Sequence, residues 1–93
     1  MAEKFYWEAI RDTLAEEMRA NEKIFLMGED IGVWGGAYAA PKGRLQEFGP
    51  ERVRDTPISE MAITGAAIGA AMCGYKPVVE IQYMDFLTLA MDQ

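Results

Sequence analysis

Residues 53–74, VRDTPISEMAITGAAIGAAMCG, decide how the rest of the chain is read. An extended run ends in a turn containing Pro57, and a helix is predicted from Ser59 or Glu60 to Gly74. Ala62, Gly65, Ala66, Gly69, Ala70 and Cys73 recur at steps of three and four, so they share one face. Ile63, Ile68 and Met72 supply bulk elsewhere on the cylinder. Gly65 and Gly69 each cost roughly 1 kcal/mol of helix propensity relative to Ala. A helix carrying that cost is expected to pack closely against something. Two occupants of the small-residue face stay open: the chain's own sheet, or another subunit meeting the Gly-x-x-x-Gly surface. A membrane span is not expected, because residues 61–73 fall short of the ~20 apolar residues that crossing takes. Glu60 stands at the helix entrance with no other charge before Lys76. It is either a charge suited to a helix start or a working group.

Upstream, residues 24–27 (IFLM) form a continuous apolar run closed by Gly28, the pattern of a strand buried on both faces. Residues 28–43 hold five glycines and a proline in sixteen positions. They predict a loop long enough to carry a function. Residues 42–48 predict a short helical turn. Residues 4–20 predict an amphipathic helix with Tyr6, Ile10, Leu14 and Met18 along one stripe and Phe5, Ala9 and Thr13 beside it. A second strand is expected at 52–55, a third at 77–83 (PVVEIQY), and a last helix at 84–93. This alternation predicts an α/β fold in three layers, a mostly parallel sheet with helices on both faces.

Ligands of such sheets bind at the carboxyl ends of the strands. Glu29 and Asp30 follow the first strand, residues 56–60 the second, and Tyr83, Asp85 and Phe86 the third. Burial would raise the Glu60 carboxyl pKa, while the helix N-terminus favours its charged form. Where burial dominates, the group can share a proton with a ligand nitrogen, and Phe86 can offer an aromatic face to a flat ring. Each residue also has a plainer reading. Glu60 can be a capping carboxylate, Glu29 and Asp30 a solvated strand-end pair, and Phe86 a core side chain. The glycines make no phosphate-binding motif, because no strand runs through G-x-G-x-x-G into a helix and Lys42 lies outside a Walker frame. No metal site is expected, since the spacing of Glu29, Asp30 and Asp85 names no cation.

The chain has 93 residues, enough for one small domain. Nine basic and fifteen acidic side chains leave a net charge of −6. That argues against nucleic acid, which calls for a basic patch, and against an anionic membrane surface. Histidine is absent, which removes His-based triads and His-ligated metals. The lone Cys73 is expected as a buried thiol, with no disulfide within the chain. No signal or transit segment is recognised ahead of the first helix, so a reducing, cytoplasmic setting is the expectation.

The blocks GEDIGVWGGAY, KGRLQEFGPERV, DTPISEM, AIGAAMCGYKPVVE, DF and AMDQ run in register along nearly the whole chain. In them the sequence resembles the beta subunit of thiamine-diphosphate-dependent 2-oxo acid dehydrogenases, a group that includes the pyruvate, branched-chain 2-oxo acid and acetoin enzymes. The resemblance implies a transketolase-like pyrimidine-binding domain, of which residues 1–93 are the N-terminal part, incomplete and ending inside a helix. It implies pyruvate as the first substrate to expect, with acyl transfer to a lipoyl group. Glu60 matches the glutamate that hydrogen-bonds the N1′ nitrogen of the cofactor's aminopyrimidine and promotes its imino tautomer. Phe86 matches an aromatic packed on the pyrimidine, and Glu29 an acidic residue on a proton path between paired sites. Ile58 and Met61 become neighbours of the pocket.

The same resemblance implies an alpha subunit holding the diphosphate and its Mg2+, a second beta subunit, and a lipoyl-bearing acyltransferase. It implies a bacterial cytoplasm, or the mitochondrial matrix in a eukaryote. Beta subunits of the group are several times longer, and their substrate-proximal histidine has no counterpart here. The 93 residues alone are therefore expected to give no turnover. The alternative is a non-catalytic assembly or binding module that retains the fold.

Overall fold

A computed structural model describes residues 2–37 and 41–93. The elements are α1 (Tyr6–Ala20), β1 (Ile24–Gly28), α2 (Arg44–Phe48), β2 (Val53–Asp55), α3 (Glu60–Met72), β3 (Lys76–Glu80) and a 3-10 helix (Met84–Ala90). The three strands form one parallel sheet in the order β2-β1-β3. The alternating elements expected from the sequence thus build the expected α/β architecture.

Side-chain alternation along β1 divides the layers. Ile24 and Leu26 point to one face, where they meet Met18 of α1, Val53 of β2 and Ile31, with Leu14, Leu45 and Phe48 against them. Met18, Ile31 and Val53 are the fully buried side chains of this core. Phe25 and Met27 point to the other face, where Ala66, Ala62 and Ile63 of α3 line the same hollows. α3 leaves β2 at one margin of the sheet and returns the chain to β3 at the other, passing over β1.

Several boundaries differ from expectation, each for a local reason. α1 starts at Tyr6, because the Glu8 carboxylate accepts the Phe5 N–H at 2.9 Å and closes the helix there. β3 stops at Glu80 rather than Tyr83, because its partner β1 ends opposite at Gly28. The last helix is a 3-10 helix, capped back by the Thr88 hydroxyl donating to the Asp85 carbonyl. The stripe of α1 is buried only toward its end. Tyr6 and Ile10 stand off the sheet, leaving a groove of about 500 Å³ floored by Leu26, Ile31 and Val78.

The largest departure concerns α3. Its buried residues are Glu60, Ile63 and Ala67, a narrow stripe, and the small-residue face turns mostly outward. Cys73, expected as a buried thiol, is exposed, because it lies on that outward face as the residue capping the helix. Gly65 meets the Gln93 side chain, while nothing lies within 4 Å of a Cβ built on Gly69. Among the described residues no helix is long and apolar enough to cross a membrane.

Arg52 ties the layers together. Its guanidinium donates to the carbonyls of Met18 (2.6 Å), Asn21 (2.8 Å) and Ile24 (2.9 and 3.1 Å) and lies over the Phe48 ring. One planar cation thereby satisfies the carbonyls that α1 and the following turn leave open. Arg52→Ala is expected to lower stability by about 2–4 kcal/mol, since hydrogen bonds to a charged group are lost and their acceptors stranded. Arg52→Lys, with a single ammonium and no fork, should recover less than half of that, as read from urea midpoints at unchanged slope.

Candidate functional site

The register places Asp55, Gly28 and Glu80 in one row across the carboxyl edge of the sheet. Residues in register on neighbouring parallel strands share a face. Asp55 and Glu80 therefore flank Gly28, which has no side chain between them. The glycine-rich loop settles into that gap. Asp55 accepts the Gly32 N–H at 2.7 Å and the Val33 N–H at 3.4 Å. Glu80 lies against Gly36, where a Cβ would sit 2.6 Å from its Oε2. Gly36 also takes φ +79°, and Asp30 takes φ 55°, a conformation that Asp tolerates better than most residues. The Gly36 N–H donates to the Asp30 carbonyl at 2.9 Å and closes the loop. Residues 38–40 of the predicted loop lie outside the described residues.

One position beyond Gly28, the chain turns to the opposite face, and there Glu29 meets the start of α3. Both Glu29 and Glu60 are 8% exposed. Ser59 caps the helix, its hydroxyl accepting the Ala62 N–H at 3.3 Å, so Glu60 is the first helical residue. Burial pushes the Glu29 carboxyl above the usual glutamate range. The negative charge of Glu60 and a hydrogen bond with its carboxyl add to this, and Asp30 adds a little more. The Ser59 backbone amide opposes the shift by favouring the charged form. Oε1 of Glu29 is buried without a hydrogen-bond partner, as is the hydroxyl of Thr56, whose N–H bonds the carbonyl of neighbouring Gly28. Gln82 donates its side-chain amide to the Glu29 carbonyl at 3.3 Å and ties the end of β3 to this corner.

The structure thus brings Glu29 and Glu60 together and leaves Asp30 exposed. Ile58 and Met61, either side of the helix start, are 84% and 50% exposed. Phe86 is 41% exposed, its ring edge-on to Tyr83 at 6.0 Å, on the 3-10 helix that packs against α3. Ile58 and Met61 therefore stand exposed at the entrance of a helix whose first residue is a buried carboxylate. Among the described residues no cluster of three acidic or cysteine side chains gathers to hold a metal.

Asp55, Glu80 and Gln82 were not singled out from the sequence. Asp55 was counted as a strand residue, and Glu80 and Gln82 lay inside a strand predicted too long. The available signal was register, since three strands ending together place their last residues in one row.

The transketolase pyrimidine-binding domain family model matches residues 3–93. The chain belongs to that family. It is 52% identical over 86 residues to a pyruvate dehydrogenase E1 component subunit beta from Rhizobium meliloti (strain 1021), covering 92% of this chain and 19% of that one. It is 50% identical over 93 residues to the subunit of the same name from Chaetosphaeridium globosum, covering 100% and 28%. A 2-oxoisovalerate dehydrogenase subunit beta from Bacillus subtilis (strain 168) is 46% identical over 88 residues, covering 95% and 27%. The chain thus spans between 19% and 28% of the length of these relatives.

The Glu29 shift fixes the sign of a pH effect. The folded chain keeps this proton to higher pH than the unfolded chain does. The associated stability is complete below the ordinary glutamate value and is lost as pH rises through the raised one. Glu29→Gln removes that loss. The variant should match the parent in acid, exceed it in stability at pH 8, and show a flatter profile, as followed by urea unfolding across pH.

Proposed function

We propose that this chain is the pyrimidine-binding part of the beta subunit of a 2-oxo acid dehydrogenase, most closely of the pyruvate enzyme, and that Glu60 is its catalytic residue. The observation that carries this reading is the buried Glu60 carboxyl at the carboxyl edge of the sheet, beside a Glu29 whose Oε1 has no partner. These residues fit thiamine diphosphate, whose aminopyrimidine offers a ring nitrogen and an amino group to carboxyls of this kind.

In this reading Glu60 holds the pyrimidine ring nitrogen by a hydrogen bond to its carboxyl. Phe86, Ile58 and Met61 supply the apolar surface around the ring. When bound, the cofactor supplies the carbon nucleophile that decarboxylates a 2-oxo acid and carries its acyl unit. The work of the chain is to orient the ring, exclude water and present the Glu60 carboxyl to the ring nitrogen. Glu29, whose carboxyl is pushed above the usual glutamate range by burial and by the neighbouring negative charge, is the adjacent proton store. The Ser59 cap and the end of β2 fix where the Glu60 backbone begins, so the carboxyl needs little reordering.

The remaining parts of the reading concern the whole enzyme. An alpha subunit holds the diphosphate and Mg2+, a second beta subunit pairs with the first, and a lipoyl-bearing acyltransferase receives the acyl group. The setting is a bacterial cytoplasm, or a mitochondrial matrix in a eukaryote. The outward small-residue face of α3 favours one further role, a contact between subunits; a module used only for assembly is the reading not favoured by relatives that are enzyme subunits.

Glu60→Gln separates the two. In the enzyme assembled with its alpha subunit, turnover should fall by about 10²–10⁴-fold, the usual contribution of a positioned acid–base group. Assembly by size-exclusion chromatography should be unaffected. Undiminished turnover of the variant would leave assembly as the function.

A further inference from the structure

We infer that Asp55 is a positioning residue, whose carboxylate clamps the glycine-rich loop so that Glu29 is delivered to Glu60. The inference deepens the proposed pyrimidine site and rests on that reading for its catalytic consequence alone.

The geometry runs from β2 to β1 through one carboxylate. Asp55 Oδ1 takes the Gly32 N–H at 2.7 Å, within the short range of charge-assisted bonds, and Oδ2 reaches the Val33 N–H at 3.4 Å. Two consecutive backbone amides thus point at one side chain from 22 and 23 residues away. The contact requires glycine. A Cβ built on Gly32 lies 2.8 Å from Asp55 Oδ2, so a methyl fits only if the carboxylate gives up its place. Between Glu29 and Gly32 lie Asp30, held at φ 55°, and Ile31, 1% exposed in the core. These two positions leave little slack, and the clamp at Gly32 is felt at Glu29.

The consequence falls on the other face of the sheet. Glu29 faces Glu60 from α3 and Asp30 from its own loop, and the Ser59 amide from the turn before α3. All the charged groups acting on it are acidic. Two carboxyls in one buried place disfavour a second negative charge, so how closely they meet depends on how the backbones that carry them are held. Glu60 is held by the Ser59 cap and β2. Glu29 is held by β1 on one side and by the clamped loop on the other. Asp55 ends β2 and stands five residues before Glu60, so a single strand positions both partners.

The test uses the assembled enzyme with four variants: Asp55→Asn, Asp55→Ala, Gly32→Ala and the Asp55→Ala/Gly32→Ala pair. Two readouts are followed. One is the infrared band of the protonated Glu29 carboxyl, assigned by its loss in Glu29→Gln and titrated without cofactor. The other is the split between kcat and the KM for thiamine diphosphate. Asp55→Ala should move the Glu29 titration toward the ordinary glutamate range and raise the cofactor KM about tenfold, the scale of one lost hydrogen bond to a charged group. Asp55→Asn, which retains an acceptor for Gly32, should lie between parent and Asp55→Ala. Gly32→Ala keeps the Asp55 charge and displaces the loop, so it should reproduce the Asp55→Ala shift, and the pair should add little to either.

Val53→Ala, a core truncation on the same strand, is the control for lost stability and should move neither readout. A band that shifts in Asp55→Asn but stays put in Gly32→Ala would mean a charge effect at a distance and would overturn the clamp. So would equal shifts in Val53→Ala, or strict additivity in the pair. Because the infrared titration needs no cofactor, the clamp can stand or fall whatever Glu60→Gln does to turnover.

Discussion

Three parallel strands that end in register leave their last residues in one row, and here the middle member of that row is a glycine. Gly28 sits between Asp55 and Glu80, and its missing side chain is the room into which the following loop falls. A Cβ there would lie 2.9 Å from the Glu80 carbonyl and 3.0 Å from the Ile31 methyl, so the row admits nothing larger. Everything at the carboxyl edge follows from that constraint. On the α1 face the Asp55 carboxylate grips the loop by hydrogen bonds, while Glu80 only lies against it. The next residue, reversed by the pleat, is sent to the α3 face, where the carboxyl pair forms. One edge thereby does two jobs on two faces.

The carboxyl pair shows which forces dominate. Burial beside a second acid disfavours charge on Glu29, and the Ser59 backbone amide opposes this. Its Oε1 has no partner, and a buried acceptor without one is costly by roughly 1–3 kcal/mol. The visible ion pairs do not offset this. Lys4–Asp12 and Arg54–Glu51 lie at the surface, where solvent and salt screening leave such pairs little net weight. The unfavourable group is retained where a ligand offering hydrogen-bond partners would satisfy it.

What the sequence made legible was whatever depends on periodicity. The apolar run at 24–27, the turn at Pro57 and the long small-residue segment were enough for a parallel α/β sheet, and for Glu60 and Glu29 on one edge. What it hid depends on partners far apart in the chain. The stripe on α1 promised burial along its length, yet Tyr6 and Ile10 are exposed because the sheet beneath them is narrow. Residues 81–83 look like strand but have no neighbour opposite, since β1 has already ended. Asp55 could not be recognised from composition, because its role exists only through amides 22 and 23 residues away. Small residues on α3 suggest a packed face, but Ile63 and Ala67 are the buried ones, Gly65 meets only the Gln93 side chain and Gly69 looks outward.

That last point bears on how the site is kept in place. α3 carries two glycines, a propensity deficit of roughly 2 kcal/mol against alanine, and buries only a narrow stripe. The body of such a helix is a weak means of aiming its first residue. Its entrance is firmer. The Ser59 hydroxyl caps the first turn, and the chain before it comes straight from β2. The Thr56 N–H bonds the Gly28 carbonyl at 3.0 Å and extends the β2–β1 pairing one residue further. Glu60 is therefore placed by the sheet it leaves rather than by the helix it begins. The outward face of α3 is then spared the task of holding the carboxyl pair, which rests on the sheet and the cap alone.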